Sequence, residues 1–398
     1  MSSVAWGDYD QDGELDILMA GKHDGLHSYT FILRNDGYNQ FTDLGEHFPG
    51  LQSASVAWVD YNNDGKLDVM ISGDSGGGMI TQLYKQEDGK FTEVNPGGFM
   101  GLSTGDTKWG DLDNDGDMDL ILAGVDLFLD GYILLYENTG NDTFIEHFTL
   151  NNNISFTSLD LGDFNNDGWL DIILSGKIVG CGGTAATMLF RNEIFLNFTE
   201  MSTLIPGYKQ GEVCWGDFNN DGFTDLIFTG FDGYDVPNTH LYKNDAGSGI
   251  FTVNTPPELP PGLTATTSGS TVTISWGRAT DAQPLSYGLS YNVFVGTSSG
   301  TGDIFSANSN LGTGLRYLAT LGNTSQDTSW EIKGLEDGTY YWSVQAIDNG
   351  FLGSVFSEEE TFTIDAVGIN DWTLSSEIKL NPNPAHDVLD IRMPDIIF

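Results

Sequence analysis

Positive charge is what this chain has least of. Its 398 residues hold 15 Lys and Arg against 57 Asp and Glu, a formal net charge of −42 at pH 7. A surface of that sign repels phosphate backbones and anionic headgroups, so neither a nucleic-acid partner nor membrane insertion is expected. Cysteine is nearly absent as well. Cys181 and Cys214 can make one bridge at most, which rules out a disulfide framework. They read as two small packed thiols, with a bridge between neighbouring repeats as the alternative. No apolar run is long enough to cross a bilayer as a helix, and no signal peptide opens the chain. The chain does not lack aromatic residues. Nine Trp and 24 Phe supply the apolar surface that a disordered acidic chain would not have, and the length suggests two or three domains.

The acid is not spread evenly. Asp111-Leu112-Asp113-Asn114-Asp115-Gly116-Asp117-Met118-Asp119 reads D-x-D-x-D-G-x-x-D. Acidic residues at alternate positions can turn their oxygens toward one point if the backbone curls, and Gly116 permits the bend. Oxygen ligands of this number and flexibility suit Ca²⁺ better than Zn²⁺ or a redox metal. Four further copies occur: Asp8, Asp10, Asp12, Asp16; Asp60, Asn62, Asp64, Asp68; Asp163, Asn165, Asp167, Asp171; and Asp217, Asn219, Asp221, Asp225. In each, the residue after the glycine can offer its backbone carbonyl, which adds Glu14, Lys66, Asp117, Trp169 and Phe223 to the expected metal ligands. The first aspartates stand 52, 51, 52 and 54 residues apart. The loop is not an EF-hand, because its closing acid is the ninth residue and its flanks read as strands.

Each period carries the same segments. A Val-Ala-Trp-Gly-like run precedes the loop, and an apolar run ending in glycine follows it, such as Leu120-Ile121-Leu122-Ala123-Gly124. After a variable loop comes a third segment, such as Tyr132-Ile133-Leu134-Leu135-Tyr136. A hairpin turn such as Asn35-Asp36-Gly37 leads to a last segment opened by Phe41, Phe91, Phe144, Phe198 or Phe251. Four short antiparallel strands per repeat of about 50 residues describe the blade of a β-propeller. The chain is therefore expected to be all-β, with a Ca²⁺-binding propeller of five blade repeats over residues 1–255. Trp6, Trp58, Trp109 and Trp215 are expected in the layers between blades, with Leu161 in the fourth repeat.

The unit V-A-W-G-D-Y-D-x-D-G-x-L-D-I-L-x-x-G resembles the FG-GAP, or VCBS, repeat of integrin α-subunit propellers and many bacterial surface proteins. The resemblance implies that the loop joins the innermost strand of each blade to the second and holds one Ca²⁺. Propellers of that kind often have seven blades, so five units imply either a five-bladed ring or an arc of a larger one.

Beyond the proline-rich stretch at 254–262 the repeat stops. Residues 256–365 show alternating segments, including 271–276, 291–295 and 339–346, as in a sandwich of about seven strands. Trp276 and the run Gly334 to Tyr340 resemble a fibronectin type III domain, which would make Trp276 the buried core Trp and Tyr340 the tyrosine-corner residue. Residues 366–398 contain Pro382-Asn383-Pro384-Ala385-His386-Asp387 and Leu389, which resemble the opening of a type IX secretion C-terminal sorting domain of Bacteroidetes. On that resemblance both ends are expected to be truncated.

Catalysis is not expected. The six His show no zinc spacing, and His23 and His27 read as solvated loop residues. No nucleophile elbow and no Cys with a His partner is expected. The resulting expectation is a secreted or cell-surface calcium-binding propeller with a non-catalytic role in adhesion, or in capture of a glycan or surface protein. The alternatives are the binding portion of a polysaccharide-degrading lyase or hydrolase, and a structural spacer. The variable loops of the third and fifth repeats, with Phe128, Tyr132, Phe231 and Tyr234 beside Asp126, Asp130, Asp232 and Asp235, are the expected binding face.

Overall fold

The computed structural model describes residues 2–365 apart from 13, 24–26, 38–39, 46–47, 95–97, 151–153, 180–183, 220, 222, 246–253, 283–287 and 319. Gly13, Gly222, Cys181, Phe251 and the motif at 382–389 thus lie outside the described residues.

Every named element is a strand. The first repeat is a sheet of β1 (Ser3–Gly7), β2 (Asp16–His23), β3 (His27–Asn35) and β4 (Phe41–Asp43). The second is β5 (Gln52–Val59), β6 (Asp68–Asp74), β7 (Met79–Glu87) and β8 (Lys90–Val94). The third is β9 (Ser103–Gly110), β10 (Asp119–Val125), β11 (Gly131–Asn138) and β12 (Phe144–Leu150). The fourth is β13 (Ile154–Gly162), β14 (Asp171–Ile178), β15 (Ala185–Asn192) and β16 (Phe198–Met201), and the fifth is β17 (Val213–Gly216), β18 (Asp225–Phe231) and β19 (Pro237–Tyr242). Neighbours in sequence are neighbours in each sheet, and all pairs are antiparallel. The four expected segments per repeat are therefore four strands of a meander, with the fourth strand of the last repeat falling on residues that are not described.

A sheet of this length cannot bury its apolar face alone, and the repeats solve this by stacking. One apolar cluster lies between each consecutive pair of sheets. Leu18 and Ile32 meet Val69 and Ile71; Met70 and Leu83 meet Leu120 and Leu122; Ile121 and Leu135 meet Ile172 and Leu174; Ile173 and Leu189 meet Leu226 and Phe228. The Trp-Gly pair sets how closely the first strands approach. A Cβ on Gly7 would come within 2.7 Å of the Trp58 ring, and one on Gly162 within 2.9 Å of the Trp215 ring, so each glycine makes room for the next repeat's indole. The aromatic residue two positions later completes the seat: Tyr9 stacks on Trp58 and Phe164 on Trp215, with interplanar angles of 5° and 8°.

Trp6 departs from the expected role. It is 58% exposed, because its counterpart glycine would belong to a sheet on the far side of β1, and none lies there among the described residues.

The C-terminal region has two three-stranded sheets, β20 (Thr264–Ser268), β21 (Thr271–Ser275) and β23 (Ser329–Ile332), and β22 (Ser290–Gly296), β24 (Gly338–Ile347) and β25 (Glu360–Ile364). They share one core built around Trp276, Tyr291, Trp342 and Val344, so the region is two layers thick. Six strands are named where about seven were expected. Trp276 is buried, and the Tyr340 hydroxyl donates to the Glu336 carbonyl at 2.9 Å, the backward bond expected of a tyrosine corner.

The stacked layers make a differential prediction. Trp215 is 4% exposed, so Trp215→Ala should cost about 3–5 kcal/mol, whereas Trp6→Ala should stay within about 0.5 kcal/mol as an exposed substitution does. Urea unfolding of the two variants in excess calcium reads the difference. Equal losses would contradict the seat described for Trp215.

Candidate metal centres

The five loops share one hydrogen-bond pattern. The first aspartate turns Oδ1 toward the N–H four residues on: Asp8 accepts from Asp12, Asp60 from Asp64, Asp111 from Asp115, Asp163 from Asp167 and Asp217 from Asp221, at 3.0–3.2 Å. Its Oδ2 takes the glycine N–H in loops two, three and four, at 2.7–3.0 Å. The fifth residue accepts in turn from the seventh, as Asp12 does from Glu14 and Asp115 from Asp117. These short-range bonds are what Asp and Asn offer in turns. The glycines Gly65, Gly116 and Gly168 take φ of 79°, 101° and 91°, where a side chain would be strained.

The seventh side chains point away from the loop centre, as a backbone-carbonyl role requires. Lys66 reaches the Asp88 carboxylate in the turn between β7 and β8, and Trp169 packs edge-on against Phe195 in the turn between β15 and β16.

The ninth aspartate is almost fully buried in every loop, and in loops one, three, four and five both its oxygens are engaged. Asp16, Asp119, Asp171 and Asp225 accept on Oδ2 from the N–H of the loop's second residue, Tyr9, Leu112, Phe164 and Phe218. On Oδ1 they accept from the N–H of Asn35, Asn138, Asn192 and Asn244 at the end of the third segment. Of those asparagines the sequence reading singles out only Asn35, as a turn residue. Three of them also reach back one repeat: Asn138 donates to the Tyr61 carbonyl, Asn192 to Leu112 and Asn244 to Phe164, each at 2.7 Å. In the second repeat Gln86 takes this part, donating to the Tyr9 carbonyl at 2.9 Å. The signal available in sequence was an amide residue at a near-constant distance, 18 to 21 residues, after each closing aspartate.

The fourth loop residue corrects another expectation. Asn114 lies between ligand positions in the sequence pattern, which predicts that it points outward, yet it is 3% exposed, with φ of 57°. Its amide donates to the Gly168 carbonyl of the next loop. Gln11 does the same to Gly65, and Asn63 to Gly116 at 2.9 Å. The left-handed conformation that Asn tolerates turns the side chain toward the neighbouring repeat instead of solvent.

Carboxylate oxygens of Asp8, Asp10 and Asp16 lie within 4.8 Å of one another, as do those of Asp111, Asp113 and Asp115. These are the two loops with aspartate at the third position. Asn62, Asn165 and Asn219 place an amide there in the others, and no carboxylate triple forms in them among the described residues.

The donor set fits a hard divalent cation. It is all oxygen, it is crowded, and some of it lacks a protein partner: Asp10 Oδ1 and Asp68 Oδ2 are buried with no hydrogen bond. Burial pushes the Asp16 and Asp111 carboxyls up to about 7, Asp68 to about 8, and Asp60 to about 9 with the neighbouring Asp327 adding to the rise.

Elsewhere the chemistry is sparse. His23 and His27 are not loop residues but the last cross-strand pair of β2 and β3. Three stretches do have the G-x-S-x-G spacing that was not expected, Gly73 to Gly77, Gly101 to Gly105 and Gly296 to Gly300. Ser75 spends its hydroxyl on the Gly78 carbonyl within a turn, and Ser103 is buried at the start of β9. Ser298 follows the end of β22, and none of the three stands at a strand-to-helix elbow or has a histidine bonded to it among the described residues.

Two outcomes follow from the carboxylates. Their folded pKa values lie above the unfolded value near 3.9, so the folded chain binds more protons than the unfolded one as pH climbs from about 4 toward 9. In chelator, stability should therefore fall over that range, and calcium should raise the melting temperature more at pH 9 than at pH 5. A chelated chain that grows more stable toward pH 9 would contradict the arrangement. Separately, Asp111→Ala should weaken calcium binding measured by titration calorimetry. Asn114→Ala should retain the affinity but cost about 1 kcal/mol, because it removes one of the two amides, the other being Asn349, that donate to the Gly168 carbonyl.

Comparison with known proteins bears on the repeats. The FG-GAP-like repeat model matches residues 8–71, 60–122 and 111–174. No curated protein matches the chain. Among solved structures, the extracellular domain of hybrid two component system BT3049 from B. thetaiotaomicron is similar over 90% of this chain and 43% of that one, at 12% identity and a TM-score of 0.36. The chain thus spans less than half the length of that protein. The FN1-FN3 domains of chicken CNTN1 are similar over 91% of this chain and 97% of that one, at 8% identity and a TM-score of 0.20. Neither score carries a fold assignment. What the family match establishes is that the chain contains three FG-GAP-like repeats between residues 8 and 174.

Proposed function

We propose that this is a secreted or cell-surface binding protein, in which Ca²⁺ held by the five loops stabilises a propeller-type stack of blades. A fibronectin type III-like sandwich follows it, and the C-terminal motif is a type IX sorting signal. Asp8, Asp10, Asp12 and Asp16 hold the first ion, and Asp111, Asp113, Asp115 and Asp119 the third. In loops two, four and five Asn62, Asn165 and Asn219 replace one carboxylate, so loops one and three fill first. The ion supplies countercharge and rigidity. The role is non-catalytic, since the loop acids are engaged in holding their own turns.

The observation that carries the binding reading is a turn that occurs twice. Between β10 and β11, Asp126 accepts from the N–H groups of Phe128 and Asp130, and its own N–H donates to the Asp130 carbonyl. Between β18 and β19, Asp232 accepts from Tyr234 and Val236 in the same way, and its N–H donates to Val236. Leu129 and Asp235 take positive φ at matching places. The third residue of each turn is a ring raised into solvent, Phe128 at 81% exposure and Tyr234 at 89%. A rigid turn presenting one flat ring suits a sugar face or an apolar protein knob. Asp126 and Asp232 are used up inside the turns, and Asp235 pairs with the Lys209 ammonium at 2.7 Å, so Asp130 is the acid left to meet a ligand. Tyr132 and Phe231 are half-buried and buttress the turns.

A glycan array probed with the full chain, with calcium and with chelator, identifies a ligand class. Phe128→Ala with Tyr234→Ala should then lower affinity for the retained glycan at least tenfold without changing the melting temperature. Full affinity in the folded double variant would rule out this face.

A further inference from the structure

The stack ends in two unlike faces, and each is one half of the contact that joins the repeats inside it. The forward half consists of an apolar cross-strand pair, a glycine and an aromatic ring. Inside the stack all three are covered. The pairs Met70 with Leu83 and Ile173 with Leu189 are buried, Gly162 lies against the Trp215 ring, and Phe164 stacks on that ring. Repeat five has the same half uncovered. Ile227 and Leu241, its equivalent pair, are exposed. A Cβ on Gly216 would meet nothing within 4 Å, and Phe218 is 53% exposed. This is a seat for an indole, and no indole occupies it among the described residues.

Repeat one carries the complementary half. Trp6 is an indole in solvent. Ile17 pairs with Trp6 as Leu226 pairs with Trp215, and it is half-buried where Leu226 is buried. The latch is also half made. Asn138, Asn192 and Asn244 each donate to a carbonyl of their own repeat and to the second residue of the preceding loop. Asn35 makes the first of these bonds, to the Leu15 carbonyl at 3.2 Å, and has no preceding loop to reach among the described residues.

The sandwich leaves both faces open. It docks on the metal-loop end, where the Lys333 N–H donates to the Gln11 carbonyl, the Gln326 amide to Asp111 Oδ2 and the Asn349 amide to the Gly168 carbonyl. A stack that stays single normally caps its terminal repeats with a polar outer face. These two outer faces are apolar.

We propose that a second copy of this chain docks head to tail, seating its Trp6 against Gly216 and Phe218 of the first and continuing the stack with the contact already repeated inside it. Asn35 of the second copy then donates to the Phe218 carbonyl, as Asn138 does to that of Tyr61. Two different surfaces meet, so the assembly closes as a ring or grows as a filament according to the curvature of the stack.

The test uses the full chain in excess calcium, with sedimentation velocity across a dilution series. The wild type should gain mass as concentration rises. Trp6→Asp removes the head and Leu241→Asp the tail, both at exposed positions, so each variant should keep its melting temperature. Each alone should stay monomeric where the wild type associates. Their equimolar mixture should form a dimer and stop there, because each supplies the half that the other lacks. Both copies carry a net charge of −42, so screening salt should strengthen the association. A head-to-head or tail-to-tail contact would spare one of the two variants, and that result would overturn the proposal. So would a mixture that stays monomeric, or an association that salt dissolves. A wild type that stays monomeric at every concentration would overturn it too, leaving these faces to another occupant, such as further repeats of the same kind.

Discussion

The structure depends on burying like charges. Each repeat gathers three or four carboxylates around one turn, and the closing aspartate sits with almost no access to water. A buried carboxylate is tolerated only when its oxygens are bonded or its charge is balanced. The fold does both. Backbone N–H groups satisfy four of the five closing aspartates from two directions, the loop itself and the end of the third segment, while Asp68 keeps one unbonded oxygen. The same group therefore fixes the turn, ties the second strand to the third and sets the metal site, which is why the loop can be repeated five times with little variation.

The latches between repeats extend this economy. Asn138, Asn192 and Asn244 reach backbone carbonyls of the preceding loop, while Asn63 and Asn114 reach the following one. Loops two, three and four are thus clamped from both sides, and single amides link each to its neighbours. Removing one amide takes a hydrogen bond from the contact between repeats, so its cost falls on the stack rather than on the loop carboxylates.

Much of this was legible from residues that act over a few positions. The loops, the strand order within each repeat and the turn chemistry all follow from contacts between residues less than one repeat apart. What was not legible depends on partners far away in sequence. Asn138 looks like a turn residue until Tyr61, 77 positions earlier, is seen beside it. Asn114 looks solvent-facing because the approach of Gly168 and Asn349 is a tertiary fact, the latter 235 positions away. Trp6 matches the other indoles in sequence, yet its burial needs a neighbouring sheet that a local pattern cannot supply. The docking of the sandwich had no sequence signature at all.

That docking also divides the molecule's surface. The metal loops and the turns after the third strands lie at one end of the stack, and Lys333, Gln326 and Asn349 cover part of that end. Antiparallel order forces the turns after the second strands to the opposite end, where Phe128 and Tyr234 stand in solvent. Variation in those turns leaves the carboxylates and their latches undisturbed, because no strand register passes through the ring-bearing residues. The repeats can therefore diverge in turn length and content at that end while their acidic loops stay nearly identical.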